Sequence, residues 1–137
     1  RHVVLCDHRR GDEGREVLVG GAMLAQLRTL VWSRGQLSIE GIEALCGVAG
    51  DLALETLHVR GNTLGDEAIE VLVASELWEQ LTRLDLRDVE VGDAGARALA
   101  RAAPRARLRH LDLRGNPIGP MGRRALADAG EVFGRAL

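Results

Sequence analysis

The sequence predicts an α/β solenoid, a horseshoe segment with a parallel inner sheet, outer helices and about five stacked repeats. Two observations indicate this fold. Leucines and other aliphatic residues recur every 27 residues along the whole chain. Within each period, the spacing of the apolar residues changes from 2 to about 3.6, which is typical of a strand followed by a helix. Strand–helix units of this kind stack through right-handed crossovers, so we expect their strands to lie parallel in one curved sheet.

The clearest repeat begins at Leu108 and reads Leu-Arg-His-Leu-Asp-Leu-Arg-Gly-Asn-Pro-Ile. It fits the pattern L-x-x-L-x-L-x-x-N-x-L at every fixed position. Steps of 27 residues from this repeat divide the chain, which we predict to be a single domain over residues 1–137. The units are a partial repeat at 1–26, complete repeats at 27–53, 54–80 and 81–107, and a last repeat at 108–130. We expect residues 131–137 to cap the last repeat, with Val132, Phe133 and Leu137 folded over its coil.

Two columns of apolar side chains predict the core. In the strand part of each repeat, the fourth and sixth positions of the pattern point to the same face of the sheet. They are Val3 and Leu5, Leu30 and Trp32, Leu57 and Val59, Leu84 and Leu86, and Leu111 and Leu113. The helix part of each repeat supplies the facing column, which consists of Leu18, Leu45, Leu72, Leu99 and Leu126.

The ninth position of the pattern governs the turn after each strand. An asparagine there can satisfy backbone groups that would otherwise be buried without partners. Asn62 and Asn116 hold this position in two repeats. His8, Gly35 and Val89 replace the asparagine in the other three, and we expect looser turns near Gly35 and Val89.

Short polar side chains mark the predicted helix starts, because their oxygen atoms accept the free amides of a helix N-terminus. The residues in these positions are Asp12, Ser38, Asp66 and Asp93, and Pro120 is expected to open the last helix. Small residues follow shortly after each start, which would let each helix lie close to its strand. They are Gly14, Gly41, Ala68, Gly95 and Gly122.

The repeats resemble the leucine-rich-repeat superfamily, and their 27-residue period with a full helix resembles its ribonuclease-inhibitor-like subclass. The resemblance implies a scaffold that binds other proteins through the concave face of its strands. Members of this family are also regulatory or sensor modules of larger proteins, and the repeat itself implies no enzymatic activity. We therefore expect a noncatalytic protein-binding module. The alternative is a structural spacer or regulatory segment of a larger multidomain protein.

Composition narrows the class of protein further. The chain has no apolar run near the roughly 18 residues that span a membrane and no signal-peptide pattern at its start. All 18 basic residues are arginine, which we interpret as the codon bias of a GC-rich, bacterial genome. Cys6 is placed on a strand facing solvent and Cys46 on the buried side of a helix. Since a disulfide requires Cα atoms within about 7 Å, we expect two reduced thiols in a cytoplasmic protein.

The exposed positions of the strands form three columns on the concave face. The third position holds His2, Thr29, Thr56, Arg83 and His110, the fifth holds Val4, Val31, His58, Asp85 and Asp112, and the seventh holds Cys6, Ser33, Arg60, Arg87 and Arg114. Charge is concentrated in the C-terminal half. The candidate partner-binding site therefore consists of Arg60, Arg83, Asp85, Arg87, His110, Asp112 and Arg114.

The arginine column has two interpretations. In the first, the neighbouring aspartates compensate the arginine charges in a solvated surface network of little net energy. In the second, the guanidinium groups are available to bind carboxylates or phosphates of a partner. A metal site among His58, Asp85, His110 and Asp112 is disfavoured, because His58 lies two strands from Asp112. Catalysis is disfavoured because an open sheet offers neither burial nor a fixed nucleophile. We expect no cofactor and no small-molecule substrate.

Charge is also divided along the chain. Residues 37–80 contain nine acidic residues against Arg60 alone, a net charge of −8, whereas residues 97–124 contain eight arginines against Asp112, a net charge of +7. Glu70 and Arg97 share one helix register and are expected to lie side by side. This polarity suits an acidic partner or association of opposite ends of two chains. Nucleic acid is disfavoured, since the chain lacks lysine and an aromatic platform for stacking bases.

Overall fold

A computed structural model describes residues 27–34, 37–47, 50 and 53–137, together with the backbone of residues 2–6. In this part of the chain, five strands form one parallel sheet in sequence order. They are β1 (His2–Cys6), β2 (Thr29–Ser33), β3 (Thr56–His58), β4 (Arg83–Asp85) and β5 (His110–Asp112). The predicted solenoid of parallel strands and helices is confirmed.

Helices connect the strands along the outer side of the sheet. They are α1 (Ile39–Gly47), α2 (Gly65–Val73), the short α3 (Glu76–Gln80), α4 (Asp93–Ala102), α5 (Pro120–Asp128) and α6 (Glu131–Gly134), with a 3₁₀ turn at Ala103–Arg105. Successive helices pack side by side, α1 against α2, α2 against α4 and α4 against α5. The prediction that Pro120 opens the last helix of the repeats is confirmed.

The sheet keeps the 27-residue register of the sequence. Thr29 pairs with Thr56, Thr56 with Arg83, and Arg83 with His110. His58, Asp85 and Asp112 stand in line in the same way. Residues at one position of the repeat are therefore direct neighbours on adjacent strands, about 4.8 Å apart.

The two predicted columns are buried in the core. The inward strand residues from Leu30 to Leu113 are all buried, and so are Leu45, Leu72, Leu99 and Leu126 of the helices. Side chains of Val3, Leu5 and Leu18 lie outside the described residues. Each buried leucine of the two columns stabilises the fold by about 1.5–3 kcal/mol relative to an exposed one.

Trp78 of α3 enlarges this core near the C-terminal end. Its side chain is fully buried, and its indole Nε1 donates a hydrogen bond to the carbonyl oxygen of Ala102 at 2.9 Å. The ring of Phe133 packs against it at a tilted angle, with ring centroids 6.2 Å apart. Ala136 is also buried, and its carbonyl oxygen accepts the amide of Leu113 at 2.7 Å. Residues after α5 thus cover the last coil.

The two asparagines of the turns bond as the pattern predicts. Asn62 is buried, its Nδ2 donates to the carbonyl oxygens of Trp32 and Val59, and its Oδ1 accepts the amide of Leu37. Because Trp32 and Leu37 belong to the preceding repeat, each asparagine joins two coils.

The prediction of a looser turn near Val89 is wrong, because an asparagine of the following repeat supports this turn. Val89 is fully buried, and the amides of Val89 and Val91 both donate to Oδ1 of Asn116 in the following repeat. The residue before this position has a positive φ also in the repeats that keep the asparagine, 76° at Gly61 and 78° at Gly115 against 54° at Asp88. Only the positive φ of Glu90, 62°, distinguishes the turn at Val89. Gly35 and His8 lie outside the described residues.

The predicted helix caps at Asp66 and Asp93 are also wrong. The residues that precede α2 and α4 are Leu64 and Gly92, and neither helix has a side-chain cap of its own. Each aspartate lies within the first residues of its helix and serves the following repeat. Asp66 Oδ1 accepts the amides of Gly92 and Gly95 at 2.8 and 3.0 Å. These bonds are made between repeats, which a rule based on sequence neighbours does not foresee.

Asp93 repeats this arrangement one coil further on, where its Oδ1 accepts the amides of Gly119 and Gly122 at 2.8 and 3.0 Å. A Cβ atom on Gly122 would lie 2.6 Å from this oxygen and 2.7 Å from Cγ2 of Ile118. Glycine is therefore needed where the carboxylate reaches across. Ser38 precedes α1, and its hydroxyl donates to Glu40. Asp12 and Gly14 lie outside the described residues.

Cys46 packs against the core in a half-buried position and is a free thiol. Burial raises the pKa of this thiol, although a hydrogen bond with Ser75 partly offsets the effect. The side chain of Cys6 lies outside the described residues. Among the helices that the structure describes, none is both long and apolar enough to cross a membrane.

Candidate interaction surface

The C-terminal half of the concave face forms a shallow cavity of about 320 Å³. Strands β3, β4 and β5 and the residues after them supply its lining, which consists of His58, Arg83, Leu84, Asp85, Arg87, His110, Leu111 and Asp112. Five of the seven candidate residues meet here, while Arg60 and Arg114 lie outside the lining. His58 was not among the candidates, although its place in the fifth column beside Asp85 pointed to it.

Asp85 and Arg87 form a closed pair within β4 and the turn after it. Residues two apart on a strand point to the same face, so the two side chains meet directly. The Arg87 Nε lies 3.0 and 3.1 Å from the two carboxylate oxygens, and Nη2 lies 2.7 Å from Oδ2. The backbone amide of Arg87 donates to the same carboxylate at 3.0 Å. Asp85 is consequently only 7% exposed, which corrects the prediction that this residue faces solvent.

Asp112 and Arg114 repeat this geometry on β5. Arg114 Nε lies 3.0 and 3.2 Å from the carboxylate oxygens, Nη2 lies 2.7 Å from Oδ2, and the amide donates at 3.1 Å. The two pairs are linked, because Nε of Arg87 lies 3.5 Å from Oδ2 of Asp112. The side chains of Asp112 and Arg114 are more exposed, at 27% and 65%, since β5 is the last strand of the sheet.

These contacts set the protonation of the two aspartates. Burial by itself would raise the pKa of the Asp85 carboxyl, but the hydrogen bonds and the positive charge of Arg87 outweigh it and hold the pKa below its usual value. The pKa of Asp112 is lowered in the same way by Arg114. Both carboxylates are therefore ionised at neutral pH. For Arg87 and Arg114, the first interpretation of the arginine column applies, since their charges are compensated by the neighbouring aspartates.

The other basic side chains of this surface have different surroundings. Arg60 lies beside Asp88, with Nε 3.6 Å from Oδ2. His58 Nδ1 lies 3.8 Å from Oδ2 of Asp85, whose hydrogen bonds are already taken by Arg87. Arg83 and His110 are exposed neighbours across β4 and β5, and within the described residues neither side chain has a carboxylate partner. They are the polar groups of the cavity that are open to a ligand.

The described residues of this surface do not form a metal centre. In the part of the chain that the structure describes, no group of three or more histidine, cysteine or acidic side chains is placed to hold an ion. His58 and Asp112 stand on strands separated by β4, in agreement with the expected spacing. What the cavity can do chemically is to present hydrogen-bond donors and positive charge to an anionic group.

On the opposite, helical side, Glu70 and Arg97 line one groove as neighbours. They do not form an ion pair among the described contacts, because Nη2 of Arg97 instead lies 3.4 Å from the sulfur of Met121.

Three segments of the chain, residues 53–73, 80–100 and 108–127, match the sequence model of a family described as Leucine Rich repeat. Each segment contains one strand, its turn and most of the following helix. Together with the solenoid, the matches place the chain in a class of repeat scaffolds that generally mediate protein–protein interactions and are typically noncatalytic. The three segments carry leucine-rich repeats, and the fold of the described residues is that of a leucine-rich-repeat solenoid. A comparison with curated protein sequences finds no match.

Proposed function

We propose that this protein is a noncatalytic module that binds another protein through the concave face of β3, β4 and β5. The observation that supports the proposal best is the contrast within the cavity. Arg87 and Arg114 are neutralised by their own aspartates, whereas Arg83 and His110 are exposed and have no such partner among the residues that the structure describes. A surface that neutralises most of its charges internally and leaves two adjacent donors open is suited to one anionic group of a partner.

The partner that fits this cavity carries a carboxylate. Arg83 would bind it through its guanidinium fork, with His110 on the next strand as a second donor. Leu84 and Leu111 also line the cavity, but their side chains are buried in the core, so the partner would be held mainly by polar contacts. The paired residues Asp85, Arg87, Asp112 and Arg114 form a fixed rim, and Arg60 extends the surface toward the middle of the sheet. A membrane, a nucleic acid and a small-molecule substrate are not part of this proposal.

We also propose a subclass, a source and a cellular location for this protein. The 27-residue period and the regular helices α2, α4 and α5 support the ribonuclease-inhibitor-like subclass. The exclusive use of arginine supports a bacterial source, and the free thiol of Cys46 supports a reducing, cytoplasmic environment.

The test is affinity capture from a lysate of the source organism with wild-type protein and two charge-matched variants. Arg83→Glu reverses the open cation of the cavity, and Arg107→Glu makes the same change at an exposed position after α4, outside the cavity lining. Both variants are first checked by circular dichroism. Arg83 is preferred over Arg87 and Arg114 because reversing either of the latter would also place two carboxylates side by side.

A protein that is retained by wild type and Arg107→Glu but lost with Arg83→Glu would support the proposal and identify the partner. Retention of a protein by all three would indicate that its binding site lies outside the concave face. The rival function, a spacer or regulatory segment of a larger polypeptide, predicts no specific capture by any of the three proteins.

A further inference from the structure

The helical side of the solenoid carries opposite charges on its two halves. One row of residues, spaced by 27 positions, crosses four neighbouring helices in the order Glu43 on α1, Glu70 on α2, Arg97 on α4 and Arg124 on α5. All four side chains are exposed. The row therefore reads acid, acid, base, base across the face.

Among the described residues, these four charges have no ion-pair partner. None of the four residues forms an ion pair with another described residue, although Glu70 and Arg97 line the same groove. Arg97 donates to the sulfur of Met121 rather than to Glu70. Exposed charges on surface helices contribute little to the stability of the fold. This charge pattern can therefore serve the recognition of a partner.

The groove beside the basic half has the character of an interface. It has a volume of about 480 Å³, and its lining includes Ala94, Ala100 and Ala125, whose small side chains allow another surface to approach. Met121 stands beside it and is 62% exposed, the one large hydrophobic side chain in the described part of the chain that is so placed. Apolar surface beside charged side chains is common at protein interfaces.

We infer that this helical face binds a second copy of the chain, with the charged rows of the two copies running in opposite directions. Under a two-fold axis parallel to the helices and above the seam of α2 and α4, the row is complementary to itself. Glu43 then faces Arg124 of the second copy, and Glu70 faces Arg97 of the second copy. Because the axis repeats every contact, four ion pairs form across one closed, isologous interface.

Charge complementarity selects a second copy as the occupant. A polyanion such as nucleic acid would meet Arg97 and Arg124 but would be repelled by Glu43 and Glu70 beside them. A second copy satisfies both halves at once, and its small net charge of −2 adds little overall repulsion. The concave face stays open in such a pair, so the inference is independent of the proposed function.

The experiment measures molar mass by sedimentation equilibrium at low and high salt, with two charge-reversal variants. Arg97→Glu with Arg124→Glu makes the row entirely acidic, and Glu43→Arg with Glu70→Arg makes it entirely basic. Wild type is expected to dimerise at about 0.05 M salt and to dissociate near 1 M, where the Debye length falls to about 3 Å. Each variant alone is expected to be monomeric, and an equimolar mixture of the two is expected to restore a dimer.

The mixture also controls for folding, because only folded variants can restore the pair. A wild type that stays monomeric at low salt would overturn the inference. So would a dimer that persists in both variants, since it would use another surface, and so would two folded variants that fail to associate when mixed.

Discussion

Asp85 is the buried member of the concave charge network, and its replacement by asparagine measures how strongly that network is held. The variant keeps the shape and one acceptor for the Arg87 amide, but it loses the charge that Arg87 binds through two nitrogens. Hydrogen bonds to a charged group contribute about 1.5–3 kcal/mol, against about 0.5–1.5 kcal/mol for neutral pairs. We therefore expect Asp85→Asn to lower the free energy of unfolding by about 1–2 kcal/mol at pH 7.

The loss should depend on pH in a defined direction. Arg87 holds the pKa of the Asp85 carboxyl in the folded state below its ordinary value, which the unfolded chain retains. A carboxyl with a lowered folded pKa stabilises the fold above its unfolded pKa, and the contribution is lost as the pH falls through the folded value. Wild type and Asp85→Asn should thus differ most near neutral pH and should begin to converge as the pH falls below about 4.

Urea denaturation followed by circular dichroism at pH 7 and at acid pH measures this difference. Asp112→Asn is the matched control, because Asp112 makes the same set of bonds to Arg114 but has a more exposed side chain, 27% against 9%. We expect a smaller loss for Asp112→Asn, since solvent screens the pair. Equal losses in the two variants, or a loss at Asp85 that does not shrink with acid, would refute the account of the network.

Three further changes test how the repeats are joined. Asn62→Ala leaves buried backbone groups of two repeats without partners and should lower the free energy of unfolding by about 2–4 kcal/mol in a urea titration; a loss under 1 kcal/mol would mean that water replaces the amide. Asp93→Ala removes the acceptor of the α5 N-terminus and should cost about 1 kcal/mol, whereas the exposed Asp128→Ala should be neutral; equal midpoints for both would contradict the cap between repeats. Phe133→Ala should cost about 3–5 kcal/mol and shift the fluorescence of Trp78, and an unchanged spectrum would show that the two rings do not pack.

The periodic features of this chain could be predicted from its sequence. A spacing of 27 residues determines which side chains become neighbours, so the sheet register and the buried columns of Leu57, Leu84 and Leu111 followed directly. The same periodicity brought most of the candidate residues into one cavity. Long, regular patterns of this kind override the uncertainty of local propensity.

Contacts between repeats could not be predicted, because rules for caps and turns consider only sequence neighbours. Asp66 caps the following helix rather than its own, and Asn116 supports the turn at Val89 from one repeat away. The burial of Asp85 was missed for a related reason. Its position in the fifth column predicted exposure, but Arg87 on the same face folds over it, and the spacing of Asp and Arg by two residues was the available signal.

The most direct test of the account is calorimetric titration of the captured partner into wild-type protein and two variants. Arg83→Glu alters the concave cavity, and Arg97→Glu with Arg124→Glu alters the helical face. The account predicts at least about tenfold weaker binding for the first, equivalent to about 1.4 kcal/mol, and unchanged affinity for the second. Unchanged binding by Arg83→Glu, with a loss confined to the helical-face variant, would contradict recognition through the concave face.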